Sequence, residues 1–422
     1  MTRPLALIIF IIVYILFVAF PRRRAAFAVA ATVLLLLLRI VGVGNAFFEL
    51  VNWNVMSIFC GTLVVAELFT RSKVPAYLAD KIVERCKNAG MALLGICLLT
   101  SFISAFVENV AAVLIIAPVA FAVCKKMEVS PVTCIIGLAV SSNLQGTATL
   151  IGDPPSMILA SYSRMTFIDF FWYNGRPSIF FAVQVGALAS LLVLYLFFRG
   201  YRQRVQIEEI EEVSSWVPTY MLATMVCALA VSSFLDPGFT YLAGTICAVY
   251  GVAGVIWHKV ACKGGTRELL KSLDWETAIF LGCIFIVVGS LTETGWVDDL
   301  SGVLERLTGT NVFASFSTLV WASVLLSAFI DNVPYLMTMV HVAGNMAQVL
   351  GTSRELLLFG LLIGACVGGN ISPVGAAANV VATGLLRSRG HHVSLWRFVQ
   401  IGLPFTIAAT LASYIFLWLV WA

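Results

Sequence analysis

The stretch Ser104-Ala105-Phe106-Val107-Glu108-Asn109-Val110 recurs as Ser327-Ala328-Phe329-Ile330-Asp331-Asn332-Val333, and each copy sets an acid and an amide inside an apolar run. In hydrocarbon a buried carboxylate costs several kcal/mol unless a partner, water or an ion accompanies it, so such a residue points to function. The setting is apolar throughout: of 422 residues 60% are hydrophobic and 11% charged, and the mean hydropathy is +0.97. A soluble domain carries roughly a quarter of its residues charged, so these values describe a polytopic membrane protein. The first apolar run, 5–20, follows a single arginine and ends at Pro21 without a small-residue cleavage site, so it reads as a retained span and not a signal peptide.

An apolar run of about 20 residues crosses the roughly 30 Å hydrocarbon core. That length predicts spans at 4–20, 25–43 and 51–70, then a polar amphipathic piece at 74–88 lying in the interface. Two shorter arms, together 91–123, meet at Glu108-Asn109 and suit a re-entrant hairpin. The next span, 129–163, is interrupted by Gly146-Thr147-Ala148-Thr149-Leu150-Ile151-Gly152-Asp153-Pro154-Pro155. Two glycines, two prolines and an acid cannot continue a helix, and unwound backbone at that depth is tolerable only where it lines a cavity. A span at 178–198 ends a first half, 1–198, and the charged segment 199–215, with Arg202, Arg204, Glu208, Glu209, Glu211 and Glu212, reads as a solvated linker.

The second half, 216–422, repeats the order. Spans at 216–235 and 241–258 and a basic loop at 259–271 lead to a span at 275–293 and an amphipathic piece at 296–307. A hairpin, 310–350, follows, then a broken helix, 354–388, holding Gly368-Gly369-Asn370-Ile371-Ser372-Pro373-Val374-Gly375, and a last span at 398–421. About 11 spans result, the two broken ones included. Asn109 and Asn332 differ by 223, as do Gly146 and Gly369, Gly152 and Gly375, and Gly137 and Gly360. Placing Arg22, Arg23 and Arg24 in the cytoplasm leaves only Arg3, Arg164, Arg176, Arg306 and Arg354 outside and Arg39 within a span, which satisfies the positive-inside rule. Both termini then lie outside, and the two hairpins enter from opposite sides. The fold class is therefore an all-α membrane protein of two inverted-topology repeats, a transporter signature.

Where a helix breaks at mid-membrane, half-helix N-termini offer N–H groups to anions, while carbonyls and side-chain oxygens suit Na⁺ or protons. Glu108, Asn109, Thr147 and Thr149 form one candidate set and Asp331, Asn332, Asn370 and Ser372 the other, with Na⁺ at Asn109, Thr147, Asn332 and Asn370. A desolvated carboxylate there can carry a proton at working pH, so either ion would couple solute movement to a gradient. The competing reading makes the acids hairpin-tip caps for backbone N–H groups. Asp153 is an ion ligand or the cap of the restarted helix, and Asn143 and Asn379 line the path or bond to loop carbonyls. His341 relays protons or packs, and Arg39 and Glu67 snorkel to the interface. Of the ten cysteines, Cys60, Cys97, Cys134, Cys227, Cys247, Cys283 and Cys366 lie in apolar runs with no paired spacing and read as small core residues, and the four histidines give no metal-ligand pattern.

At these residues the chain resembles the ion transporter superfamily, in particular the group of arsenite permeases, NhaD-type sodium/proton antiporters, silicon efflux transporters and the melanosomal P protein, with a citrate transporter-like domain. Residues Asn143 to Ser156 are similar to that group's N-x-G-G-x-A-T-x-I-G-D-P-P-N, Asp331-Asn332-Val333-Pro334 to its D-N-[IV]-P, and Gly368-Gly369-Asn370 through Gly375 to Asn379 to its G-G-N-G-T-x-I-G-A-S-A-N. Glu108 stands where an aspartate is usual, Gln145 replaces a glycine, Ser156 an asparagine, and Ile371-Ser372-Pro373 a Gly-Thr run. The resemblance implies a scaffold and a transport domain per protomer, a homodimer, and alternating access by movement of the transport domain.

No nucleophile set, phosphate-binding loop or cofactor motif supports an enzyme or a primary pump, although whether an ATPase subunit partners the chain is not legible, and no nucleic-acid partner is implied. A channel needs a continuous polar pore, whereas single-copy broken helices suit a carrier. The expected function is secondary transport of a small oxyanion or metalloid, arsenite-like, coupled to H⁺ or Na⁺ across a bacterial inner membrane. Na⁺/H⁺ antiport is the alternative, and a dicarboxylate or citrate carrier the third.

Overall fold

The computed structural model describes residues 2–20, 23–203, 210–261, 265–309 and 311–422. Arg22, Arg204, Glu208 and Glu209, used above for orientation and the linker, lie outside the described residues. The chain runs through α1 (Thr2–Ala19), α2 (Arg24–Leu37), a short α3 (Val43–Asn45) continued by a π-turn, α4 (Trp53–Arg71) and α5 (Val74–Arg85). The first hairpin is α6 (Ala89–Ser104) and α7 (Asn109–Lys126), and the first broken helix is α8 (Val132–Gly146) and α9 (Pro154–Ser163), followed by α10 (Ile179–Phe198). Then come α11 (Val217–Leu235), α12 (Leu242–Ala261), α13 (Thr266–Ser272), α14 (Trp275–Glu293) and α15 (Trp296–Thr308). The second hairpin is α16 (Val312–Ser327) and α17 (Asn332–Leu350), the second broken helix α18 (Arg354–Gly368) and α19 (Ala377–Ser388), and α20 (Leu395–Trp421) ends the chain.

Among the described residues eight helices are long and apolar enough to cross a membrane: α4, α7, α10, α11, α12, α14, α18 with its short continuation, and α20. Five further apolar helices, α1, α2, α6, α8 and α16, are shorter. The outward faces of these helices are apolar, Leu188 being 70% and Leu419 78% exposed, as lipid contact requires. Polar residues turn inward instead: Asn143, Thr147, Thr149, Asn370 and Asn379 are all within 1% of full burial.

The helix starts follow from capping chemistry, and the caps recur at the repeat spacing. Asn88 accepts from the Met91 amide at 2.9 Å and Asn311 from the Ala314 amide at 3.0 Å. Asn52 caps α4 through the Val55 amide at 3.0 Å, and Asp274 caps α14 through the Thr277 amide at 3.0 Å. Each occupies one of the donors a helix N-terminus leaves unpaired. Packing pairs one half with the other: α4 lies along α12, α2 along α14, α10 along α20, and α8 against α19.

Four details differ from expectation. The span expected at 25–43 stops at Leu37 because Arg39 takes a left-handed backbone, φ 53°. The linker expected to be solvated is tied down where it is described, with the Glu211 amide donating to Asp80 at 2.9 Å and the Ser214 amide to the Ser72 carbonyl at 3.0 Å. The loop expected at 259–271 contains α13. A small antiparallel ribbon, Trp172–Tyr173 with Arg176–Pro177, interrupts the all-helical pattern. Its Asn174-Gly175 turn has φ of 48° and 75°, the Asn-Gly signature of a two-residue hairpin loop.

Candidate functional site

The first hairpin turns over four residues, and Glu108 restarts the chain as the N-cap of α7, its Oε2 accepting the Val110 and Ala111 amides at 3.1 Å each. In the second hairpin Asp331 does the same for α17, Oδ1 accepting the Val333 amide at 3.1 Å. Capping uses one oxygen of each acid and leaves the other off the backbone, so the two readings of these residues are compatible.

Behind each tip the unwound loop is pinned in the same way. Ser104 donates to the Ser142 carbonyl at 2.8 Å and Ser327 to the Ala365 carbonyl, while Thr149 donates to the Ala105 carbonyl and Ser372 to the Ala328 carbonyl. Gly152 rests against the carbonyl of Gly146, and Gly375 against that of Gly369, so closely that a Cβ at either would collide with backbone. These two glycines let each loop fold back on its own helix. Gly146 in turn leaves the space that the Asn109 amide fills. Asp153 caps α9, Oδ1 accepting from the Ser156 amide at 3.1 Å and the Ser156 hydroxyl at 2.8 Å. Its Oδ2 is buried without a hydrogen-bond partner.

A small cavity of about 40 Å³ lies where these parts meet, lined among others by Arg24, Glu108, Asn109, Asn143, Asp153, Asp331 and Asn332. A water needs roughly 10–15 Å³ on this measure, so there is room for a few waters or one small solute. Four helix N-termini face it, those of α7, α9, α17 and α19, each worth roughly half a positive charge. Three are already served by their own acids: Glu108, Asp153 and Asp331. The fourth is not, because the position 223 residues beyond Asp153 is Ala376, and no side chain caps α19. Its first residues, Ala377 and Ala378, border the cavity.

Not every expected residue lies on the cavity wall. Asn143 donates to the Cys366 carbonyl at 2.8 Å and to Asn370 Oδ1 at 3.0 Å, and Asn370 donates to the Val140 carbonyl at 3.1 Å. This pair clasps the two broken helices together, and Asn370 has both ends of its amide occupied. Thr147 donates to the Asn143 carbonyl at 3.4 Å. Thr149 and Ser372 are spent on their pins, and Asn379 holds the second loop through the Gly369 and Ser372 carbonyls at 3.0 and 2.9 Å. Of the four Na⁺ ligands expected, Asn109 and Asn332 line the cavity, while Thr147 and Asn370 do not. His341 lies elsewhere, with Glu49, Asn52, Ser161 and Tyr162 around a separate 230 Å³ cavity, its ring 4.7 Å from Tyr162. Glu67 does not stand alone, since it pairs with Arg71 at 2.7 Å.

Two features escaped the sequence. Arg24, the first residue of α2, pairs with Asp331 Oδ2 and donates to Thr277 at 3.1 Å. A second cavity of about 280 Å³ adjoins the first and shares Arg24, Thr277, Phe280 and Asp331 with it, adding Asp274 and Glu276. Among the described residues no three His, Cys, Asp or Glu are grouped to hold a metal ion.

A family model described as "Citrate transporter", CitMHS, matches residues 14–364. An uncharacterized transporter of Mycobacterium tuberculosis is 28% identical over 98% of this chain and 97% of that protein. The human P protein is 24% identical over 96% of this chain and 57% of its own length. Among solved structures, the YdaH transporter of Alcanivorax borkumensis superposes with a TM-score of 0.59 at 14% identity, covering 86% of this chain and 84% of that one. MtrF of Neisseria gonorrhoeae, from a class of antimetabolite efflux pumps, gives 0.56 at 13%, covering 91% and 83%. At such identities the structural likeness concerns the fold.

Proposed function

Because the chain belongs to the citrate transporter family, within the ion transporter superfamily, and is a secondary transporter, we propose that it moves a small hydroxylated inorganic solute, arsenite-like, coupled to H⁺ or Na⁺. The observation that carries this reading is the convergence of three acids and four helix N-termini on one 40 Å³ cavity. The uncapped α19 N-terminus suits the oxygens of a metalloid or oxyanion, and the unpartnered Asp153 Oδ2 suits a cation or proton. Solute and coupling ion would thus share one site, each lowering the cost of burying the other. Citrate is disfavoured by size in this conformation.

Movement would follow from the inverted repeats, the body carrying both hairpins and broken helices shifting against the α2, α4, α12 and α14 group in an elevator-type cycle, within a homodimer in a bacterial inner membrane. A second reading, Na⁺/H⁺ exchange with no further solute, is favoured by the same buried carboxylate oxygen of Asp153. A thermal-shift screen of the purified chain against arsenite, antimonite, silicate, citrate, dicarboxylates, Na⁺ and Li⁺ separates these, because specific binding stabilises the folded state. The proposal expects stabilisation by arsenite or antimonite that deepens with Na⁺ or with acidity. Stabilisation by Na⁺ or Li⁺ alone moves the conclusion to antiport, and stabilisation by citrate alone refutes it.

A further inference from the structure

Arg24 has no role in the transport cycle proposed above, yet among the described residues it makes the one ion pair at the site. Its guanidinium donates to Asp331 Oδ2 and to the Thr277 hydroxyl at 3.1 Å, and stacks over the Phe280 ring with 4.9 Å to the centroid. Thr277 and Phe280 both belong to α14, against which α2 packs. Two of its three contacts therefore hold it to the α2/α14 group, and the third reaches across to the tip of the second hairpin. The side chains of the pair are only 18% and 20% exposed, so neither is a freely solvated surface charge.

The oxygen it takes is the informative part. Asp331 Oδ1 accepts the Val333 amide, and Oδ2, the oxygen turned away from that cap, is the one Arg24 takes. Glu108, the counterpart of Asp331 in the first repeat, has no basic partner among the ion pairs of the described residues. Of the two equivalent acids, Glu108 makes no ion pair among the described residues, and Asp331 is paired with a tethered cation that borders both cavities.

We infer that Arg24 is a built-in competitor for the cation at Asp331, weakening cation binding in this conformation and driving release into the 280 Å³ cavity. A guanidinium and a second cation drawn to the same carboxylate repel each other, so each binds at the other's expense. This rests on the cation-coupled reading above. Asp274 and Glu276 flank the same cavity and would draw the released cation onward.

The test is a thermal-shift titration of the detergent-solubilised full chain with Na⁺, Li⁺ and, separately, acid, for the wild type, Arg24→Gln, Arg24→Lys and Asp331→Asn. Arg24→Gln is expected to shift the stabilisation curve to concentrations lower by about tenfold or more, while Arg24→Lys stays close to wild type. Asp331→Asn should lose the response to the cation. A merely structural arginine would not give tighter binding on removal. Cation stabilisation in the wild type with an unchanged or weaker response in Arg24→Gln overturns the inference and leaves the cation-coupled reading standing. No response to any of the three cations in any variant overturns both.

Discussion

The Asn143–Asn370 clasp makes a quantitative prediction that separates a structural role from a ligand role. Asn370→Ala removes two side-chain hydrogen bonds, one from Asn143 at 3.0 Å and one to the Val140 carbonyl at 3.1 Å. Asn143 Nδ2 keeps its bond to Cys366 at 2.8 Å, so no donor is orphaned, and the loss lies at the lower end of the range for buried polar groups. At about 0.5–1.5 kcal/mol for each bond, plus the truncated side chain, the variant should lose about 2–3 kcal/mol. That is a factor of roughly 30–150 in the folding equilibrium. Reversible unfolding in mixed detergent and SDS micelles measures it, with Thr147→Ala, whose one bond is a 3.4 Å contact within its own helix, as the near-neutral control. Stability within about 0.5 kcal/mol of wild type, below the cost of a single buried hydrogen bond, together with lost cation dependence, would show that Asn370 is a ligand and that the clasp is misassigned.

Three further outcomes are expected. Gly152→Ala and Gly375→Ala each drive a Cβ into a backbone carbonyl and should cost about 1–3 kcal/mol in the same unfolding assay. Gly384→Ala, with nothing within 4 Å of its added Cβ, should be neutral or stabilise α19 by up to about 1 kcal/mol. Outside the spans, burial alone would raise Asp236, but the Thr240 hydroxyl and the Leu242, Tyr241 and Thr240 amides pull it down to about 2. A carboxylate with a depressed folded value contributes stability that is complete above its unfolded value and disappears as pH falls through the folded one. Melting curves of wild type and Asp236→Asn should therefore differ above about pH 4 and converge near pH 2, with the unfolded value near 3.9. A constant gap across that window would contradict the assignment.

The hairpins, the broken helices and their repeat spacing were legible because each depends on local chemistry. An acid–amide pair caps a helix, two glycines permit a fold-back, and Pro154-Pro155 prevents continuation. What was not legible depended on partners far along the chain. Arg24 looked like one member of a basic flank, since its partner Asp331 lies 307 residues away. Asn370 and Thr147 are the right residue types beside an unwound loop, but residue type does not say which way an amide turns, and the clasp partner of Asn370 is 227 residues distant. The missing cap at Ala376 could have been found from the repeat by asking what stands opposite Asp153. The ribbon at Asn174-Gly175 was legible too, since Asn-Gly is the pair that tolerates the two positive φ values of such a turn.

The central claim is that the acids at the two hairpin tips couple an ion gradient to solute movement, and flux in proteoliposomes tests it most directly. Arsenite uptake, with Na⁺ and proton movement followed in parallel, should appear only under an imposed Na⁺ or pH gradient. It should be lost in both Glu108→Gln and Asp331→Asn while the proteins remain folded. A conductance that persists without any gradient, or full activity in both variants, would contradict it.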